Sequence, residues 1–228
     1  MRLTHMLYDL RRRFRGTWSI EDPRPVQKTA PYTFFLPTPE EIMALRPGDL
    51  VKLTIKGSPP GRQYEAERMW LIVDALGPEE WSGRLDNQPH DMPQLRPGTV
   101  IHFQPFHIID YRYEGDVARD VLEFPPVREY WDRCLVDRCV LDDGVPIQFL
   151  YREEPDMAEE GDAWPDSGWR IRGDYRDLSD EELEARPLDY IALGKILNID
   201  DSWLSLIDAP VGAAFLRNFE TGAFEPAD

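Results

Sequence analysis

The sequence predicts an α+β chain of two modules: a small β-barrel-like unit, then an α+β unit in which short helices accompany an antiparallel sheet. Three observations predict this. The 228 residues include 21 prolines and 15 glycines, which favours many turns and short elements over long helices. The segment Leu45-Arg46-Pro47-Gly48 recurs as Leu95-Arg96-Pro97-Gly98, each time ahead of alternating apolar residues. Beyond residue 116, strand-like runs give way to short helical ones, the order expected of an α+β unit. The boundaries drawn are 1–30 for a leader and connector, 31–115 for the β-rich module and 116–228 for the α+β module.

In the leader, Leu3, Met6, Leu7, Leu10 and Phe14 recur at helical spacing with Arg11, Arg12 and Arg13 on the other face. Such a basic amphipathic helix can lie on a membrane; packing of its apolar face onto the body of the protein is the preferred reading. The Arg-rich start has no apolar core behind it and is not a secretory signal. The longest apolar runs fall far short of the roughly 20 residues a membrane span needs. The expected compartment is therefore the cytoplasm. Glu21 to Pro25 reads as an extended connector.

In each Leu-Arg-Pro-Gly segment, proline and glycine occupy the central positions of a type II turn, with a half-buried strand behind. Pro39 to Leu45 predicts a short helix with acid at its start, as the helix dipole prefers. Met69–Val73 and Trp81–Leu85 read as a hairpin around Gly77-Pro78-Glu79. Gly57 to Arg62 reads as a hairpin tip, since it lacks the Gly-Lys-Ser/Thr ending of a phosphate cradle.

In the last module, Val117 to Leu122 reads as a helical turn stopped by Pro125-Pro126. Cys134–Leu141 and Val145–Tyr151 read as strands of a hairpin around Asp142-Asp143-Gly144. Cys134 and Cys139, five apart on one strand, would face opposite ways and stay reduced. An acidic loop spans 153–166, a Ser167-Gly168-Trp169 turn follows, and Trp169–Arg172 forms a third strand. Ser179-Asp180-Glu181-Glu182 is a capping box that opens a helix ending before Pro187. Ile191–Leu197 and Asp201–Asp208 are further short apolar segments, and Val211–Leu216 packs near the end.

Charge narrows the function classes. The formal net charge is −17, and residues 111–228 carry 29 acidic against 12 basic side chains, whereas residues 1–30 carry three against seven. An acidic half of this kind repels phosphate backbones and attracts a basic partner. Neither nucleic acid nor membrane is expected as a partner. The four histidines form no zinc-ligand spacing, the acidic loop lacks the alternation and glycine of an EF-hand, and no Gly-x-Ser-x-Gly elbow occurs. No catalytic residue, metal or cofactor is assigned.

Over about 134–228, the blocks Phe149-Leu150-Tyr151-Arg152-Glu153-Glu154-Pro155, Asp166-Ser167-Gly168-Trp169, Gly173-Asp174 and Leu206 to Phe215 resemble the DUF2185 family, also called the Imm33-like immunity family. The chain departs from that pattern in an insertion-like stretch, Met157 to Trp164, which lengthens the acidic loop. Upstream, Arg68–Val73, Gly83–Pro89 and Leu95 through Asp110 resemble a DUF2314-type small domain. The resemblance implies two fused modules, the second of a kind grouped with bacterial toxin-immunity loci.

The expectation is thus a non-enzymatic protein-binding module that masks a basic toxin or effector by occlusion. Its contact residues would be Arg152, Glu153, Glu154, Asp156, Glu159, Glu160, Asp162, Trp164, Asp166 and Trp169. For Arg152, an internal pair with a carboxylate is the competing expectation. The alternative function is a small-molecule binder or enzyme whose pocket lies between the modules, lined by Arg152, Glu153 and Trp169. A third is an adaptor whose two modules grip different proteins.

Overall fold

The computed structural model describes residues 2–115 and 127–227, with side chains from residue 5 onward in the first helix. The helical turn expected at 117–122, and its Pro125-Pro126 stop, lie outside the described residues. The chain divides into two compact units: residues 1–29 with 34–125, and residues 30–33 with 126–228.

In the first unit, helix α1 (Arg2–Arg15) precedes β1 (Thr17–Ile20), and two short helices, α2 (Arg24–Thr29) and α3 (Pro39–Met43), lead into the sheet. Strands β2 (Leu50–Ser58), β3 (Ala66–Leu76), β4 (Trp81–Leu85) and β5 (Val100–Phe103) follow in antiparallel order beside β1. A last strand, β6 (Asp110–Arg112), returns to pair with β2, so the sheet curls into a nearly closed barrel. The period-2 pattern sets the inside: Val51, Leu53 and Ile55 are buried, while Lys52, Thr54 and Lys56 between them are not. Met69, Leu71, Val73, Ile101 and Phe103 complete that core. Burial of each such side chain contributes about 1.5–3 kcal/mol.

The two Leu-Arg-Pro-Gly segments are structural equivalents. Gly48 and Gly98 both have positive φ, 97° and 81°. The Asp49 and Thr99 amides donate to the carbonyls of Arg46 and Arg96, which closes type II turns around Pro-Gly. Leu45 and Leu95 are each 2 % exposed and fill the same core. The predicted hairpin around Gly77 is present as β3 and β4, and α3 is capped by Thr38 with Glu41 reaching back.

The face of α1 turned to the body differs from expectation. Its docking side is polar: Arg12 is 1 % exposed and donates to the Asp91 carboxylate at 2.8 Å and carbonyl at 2.9 Å. Tyr8 donates to the Pro60 carbonyl, and Asp9 pairs with Arg62. Met6, Leu7, Leu10 and Phe14 are exposed. Periodicity identifies an apolar side of a helix but not which side meets the protein, and here buried hydrogen bonds chose the other one.

The second unit is a six-stranded sheet that runs, edge to edge, β10 (Leu188–Ala192), β7 (Arg133–Asp137), β9 (Asp166–Gly173), β8 (Ile147–Arg152), β11 (Ala214–Arg217) and β12 (Phe224–Pro226). All pairs are antiparallel except β7 with β9, so the sheet is mixed rather than wholly antiparallel. Helix α6 (Leu193–Leu197), Trp203 and Ile207 cover its buried face, which includes Cys134, Val136, Leu150, Trp169 and Ile171. Residues 30–33 attach here: the Tyr32 amide donates to Asn198 and the Tyr32 hydroxyl to Asp201.

Two local expectations are corrected. The strand from Cys134 stops at Asp137, and Cys139 lies in helix α4 (Arg138–Asp142), so the cysteines do not share a strand. Asp137 is buried there, accepting the Gly173 amide and pairing with Arg172 and Arg186. Nor do β7 and β8 form a hairpin, because β9 lies between them. Gly144 (φ +67°) follows the C-cap Asp143, and an Asp-Gly pair that suits a two-residue hairpin also suits the left-handed end of a helix. Ser167-Gly168-Trp169 is likewise no turn but an irregularity inside β9, where the register against β7 shifts. The predicted capping box does open helix α5 (Asp180–Glu184), with Ser179 and Glu182 bonded reciprocally.

Candidate recognition surface

The acidic segment between β8 and β9 is tied at both of its flanks to a buried cation, Arg170. Arg170, on β9, is 3 % exposed, and its guanidinium grips both carboxylate oxygens of Asp166 at 3.0 and 2.9 Å. Its Nε donates to Glu153 at 2.5 Å and an Nη to Asp156 at 3.0 Å. The planar fork suits this role, since it presents five N–H groups in fixed directions. Asp166 also accepts the amides of Gly168, Met157 and Asp156. Burial by itself would raise the Asp166 carboxyl, but the Arg170 pair and the backbone amides outweigh it and hold the group below the usual aspartate range.

A second clamp fixes the far end of the loop. Arg133, on β7, donates to Asp162 at 2.5 and 2.9 Å, and that hydrogen bonding holds the Asp162 carboxyl low. The Trp164 amide donates to the same carboxylate, so this acid sets the direction in which Trp164 leaves the loop. The Trp164 ring, 44 % exposed, lies 6.1 Å from that of Trp131 at a tilt of 33°. The Trp131 indole N–H donates to Glu129.

The predicted contact residues therefore divide. Glu154, Glu159 and Glu160 are exposed and form no ion pair among the described residues. Glu153 and Asp156 are exposed at the surface yet tied to Arg170, and Asp162 is tied to Arg133. Asp166 and Trp169 are buried; Trp169 is core, its indole N–H donating to the Ile207 carbonyl and its ring edge-on to Trp203 at 5.5 Å. Arg152 donates to the carbonyls of Ser167 and Ala209 at 3.0 and 2.6 Å, so its partners are backbone oxygens rather than a carboxylate. The internal Arg–carboxylate pair belongs to Arg170 instead. Arg170 and Trp131 were not expected from the sequence. Tyr130-Trp131-Asp132, an aromatic pair ahead of a strand, was the available sign of the latter.

Arg152 and Trp169 border a cleft of about 80 Å³ within this unit, and Glu153 is not part of its lining. Small-molecule sites run to roughly 300–1,000 Å³, so this cleft is too small for one. Among the described residues no group of three or more His, Cys, Asp or Glu is arranged to hold a metal ion, and no helix is long and apolar enough to cross a membrane.

Neither a curated protein nor a solved structure matches the chain. Residues 134–228, which contain the clamped loop and all but the start of the second sheet, match the family model for the Immunity protein Imm33 domain, and in this stretch the chain is similar to proteins of that immunity family.

Proposed function

We propose that the second unit is a non-enzymatic immunity module that binds a protein toxin and covers a basic surface on it. The observation that carries this reading is the acidic loop tied down by Arg170 and Arg133, which bears the exposed Glu154, Glu159, Glu160 and Trp164, the last beside Trp131. A tryptophan displayed on an ordered loop of like charge has the composition of a binding hot spot. The charge speeds encounter with a basic partner, and the tryptophan slows release. Because the loop is already ordered, little conformational entropy is lost on binding.

The test is co-expression with the toxin-like product of the neighbouring open reading frame. Protection is expected from the native chain. It should be lost in a Glu159→Lys/Glu160→Lys/Trp164→Ala variant whose unfolding curve is unchanged. Failure of the native chain to protect or to bind that product overturns the immunity reading; full protection by the triple variant overturns the surface assigned to it.

A further inference from the structure

The apolar side of α1 is exposed rather than buried in its own unit. Successive side chains on a helix lie about 100° apart, which places Met6, Leu7, Leu10 and Phe14 within an arc of about 100° and Arg12 on the opposite side. Their exposures are 54, 57, 41 and 76 %, while Arg12 is buried against Asp91. The helix is thus pinned through its polar side with its greasy side outward. Exposed Arg11 and Arg13 stand within about 40° of either edge of the stripe, and Arg15 follows on the last turn.

We infer that α1 is an interfacial helix through which this chain docks on a membrane surface bearing anionic headgroups. The apolar arc would enter the headgroup–acyl boundary, and the flanking arginines would extend their charged ends to phosphate while burying their stems. Charge complementarity selects this occupant: besides the buried Arg12, α1 carries four arginines against a single acid, Asp9, within a chain of net charge −17. The remaining acid does not prevent approach, because at physiological salt charges more than about 8 Å from the surface are largely screened. Self-pairing of two α1 helices along the stripe is disfavoured, since arginines border it on both sides and would meet like charge.

The experiment is co-sedimentation of the full chain with phosphatidylcholine vesicles, with and without phosphatidylglycerol. Binding is expected only to the anionic vesicles, weakening several-fold as salt rises. Leu10→Glu/Phe14→Glu should lower the partition coefficient at least about tenfold without altering the circular dichroism spectrum, since both side chains are exposed. Absence of binding, equal binding to neutral vesicles, or an unchanged partition in the double variant overturns the proposal. So does a concentration-dependent dimer by light scattering that the double variant abolishes, which would assign the stripe to a second copy of the chain.

Discussion

The guanidinium of Arg170 and the carboxylate of Asp166, four residues apart across the irregularity in β9, form a two-pronged pair with side-chain exposures of 3 % and 1 %. Removal of one member leaves the other charged and cut off from water. Arg170→Met should therefore destabilise the second unit by about 3–5 kcal/mol, read as a shift of its urea midpoint. The same variant should release Glu153 and Asp156 and raise protease sensitivity within 153–165. A midpoint that stays in place would show that the pair contributes little.

Acid should act through the same carboxylate. Burial opposes ionisation of Asp166, but Arg170 and three amides lower its folded-state value below the unfolded one of about 3.9. A group depressed in this way contributes stability above its unfolded value and loses it as pH falls through the folded one. Unfolding free energy should hold steady from neutral pH down to about 4 and then decline. In Asp166→Asn that decline should be shallower, as followed by tryptophan fluorescence.

Glycine substitutions separate two kinds of backbone demand. Gly168 has φ +80°, and a Cβ there would collide with the Glu153 carbonyl oxygen; Gly144 has φ +67° with open space around it. Gly144→Ala should cost about 1 kcal/mol, the ordinary penalty of a left-handed residue. Gly168→Ala should cost more than that, because either β9 or the chain just beyond β8 must shift, and thermal unfolding will rank the two.

On the proposed binding surface, Trp164→Ala should weaken toxin affinity by about 2 kcal/mol while leaving stability unchanged. Glu154→Lys should mainly lower the association rate, with the difference shrinking at high salt. Surface plasmon resonance against the toxin recovered by co-expression separates the two effects. Equal dissociation rates for the native chain and Trp164→Ala would remove the tryptophan from the anchor role.

Local chemistry made some of this legible in the sequence. Leu45 and Leu95, with their Pro-Gly turns, specify conformation within five residues, and Ser179 and Glu182 specify a helix start within four. Asp143-Gly144 was misleading because one dipeptide fits two structures, and only β9 lying between β7 and β8 decides between them. Arg170 was hidden because its partners lie 4, 14 and 17 positions away, and no spacing rule marks a cation that gathers acids across a loop. For α1, the stripe was visible but its direction was not, since that depends on Arg12 meeting Asp91, 79 residues later.

The clamps at Arg170 and Arg133 separate what shapes the acidic loop from what it displays. The residues that fix its path, Glu153, Asp156, Asp162 and Asp166, are occupied inward. Those that face outward, Glu154, Glu159, Glu160 and Trp164, bear little of the architecture. If the proposed function holds, substitution at these positions would alter which partner is recognised without retuning the scaffold, and the segment would act as an exchangeable cassette. On that reading, a lineage confronted with a changed adversary would need to rewrite only a few letters.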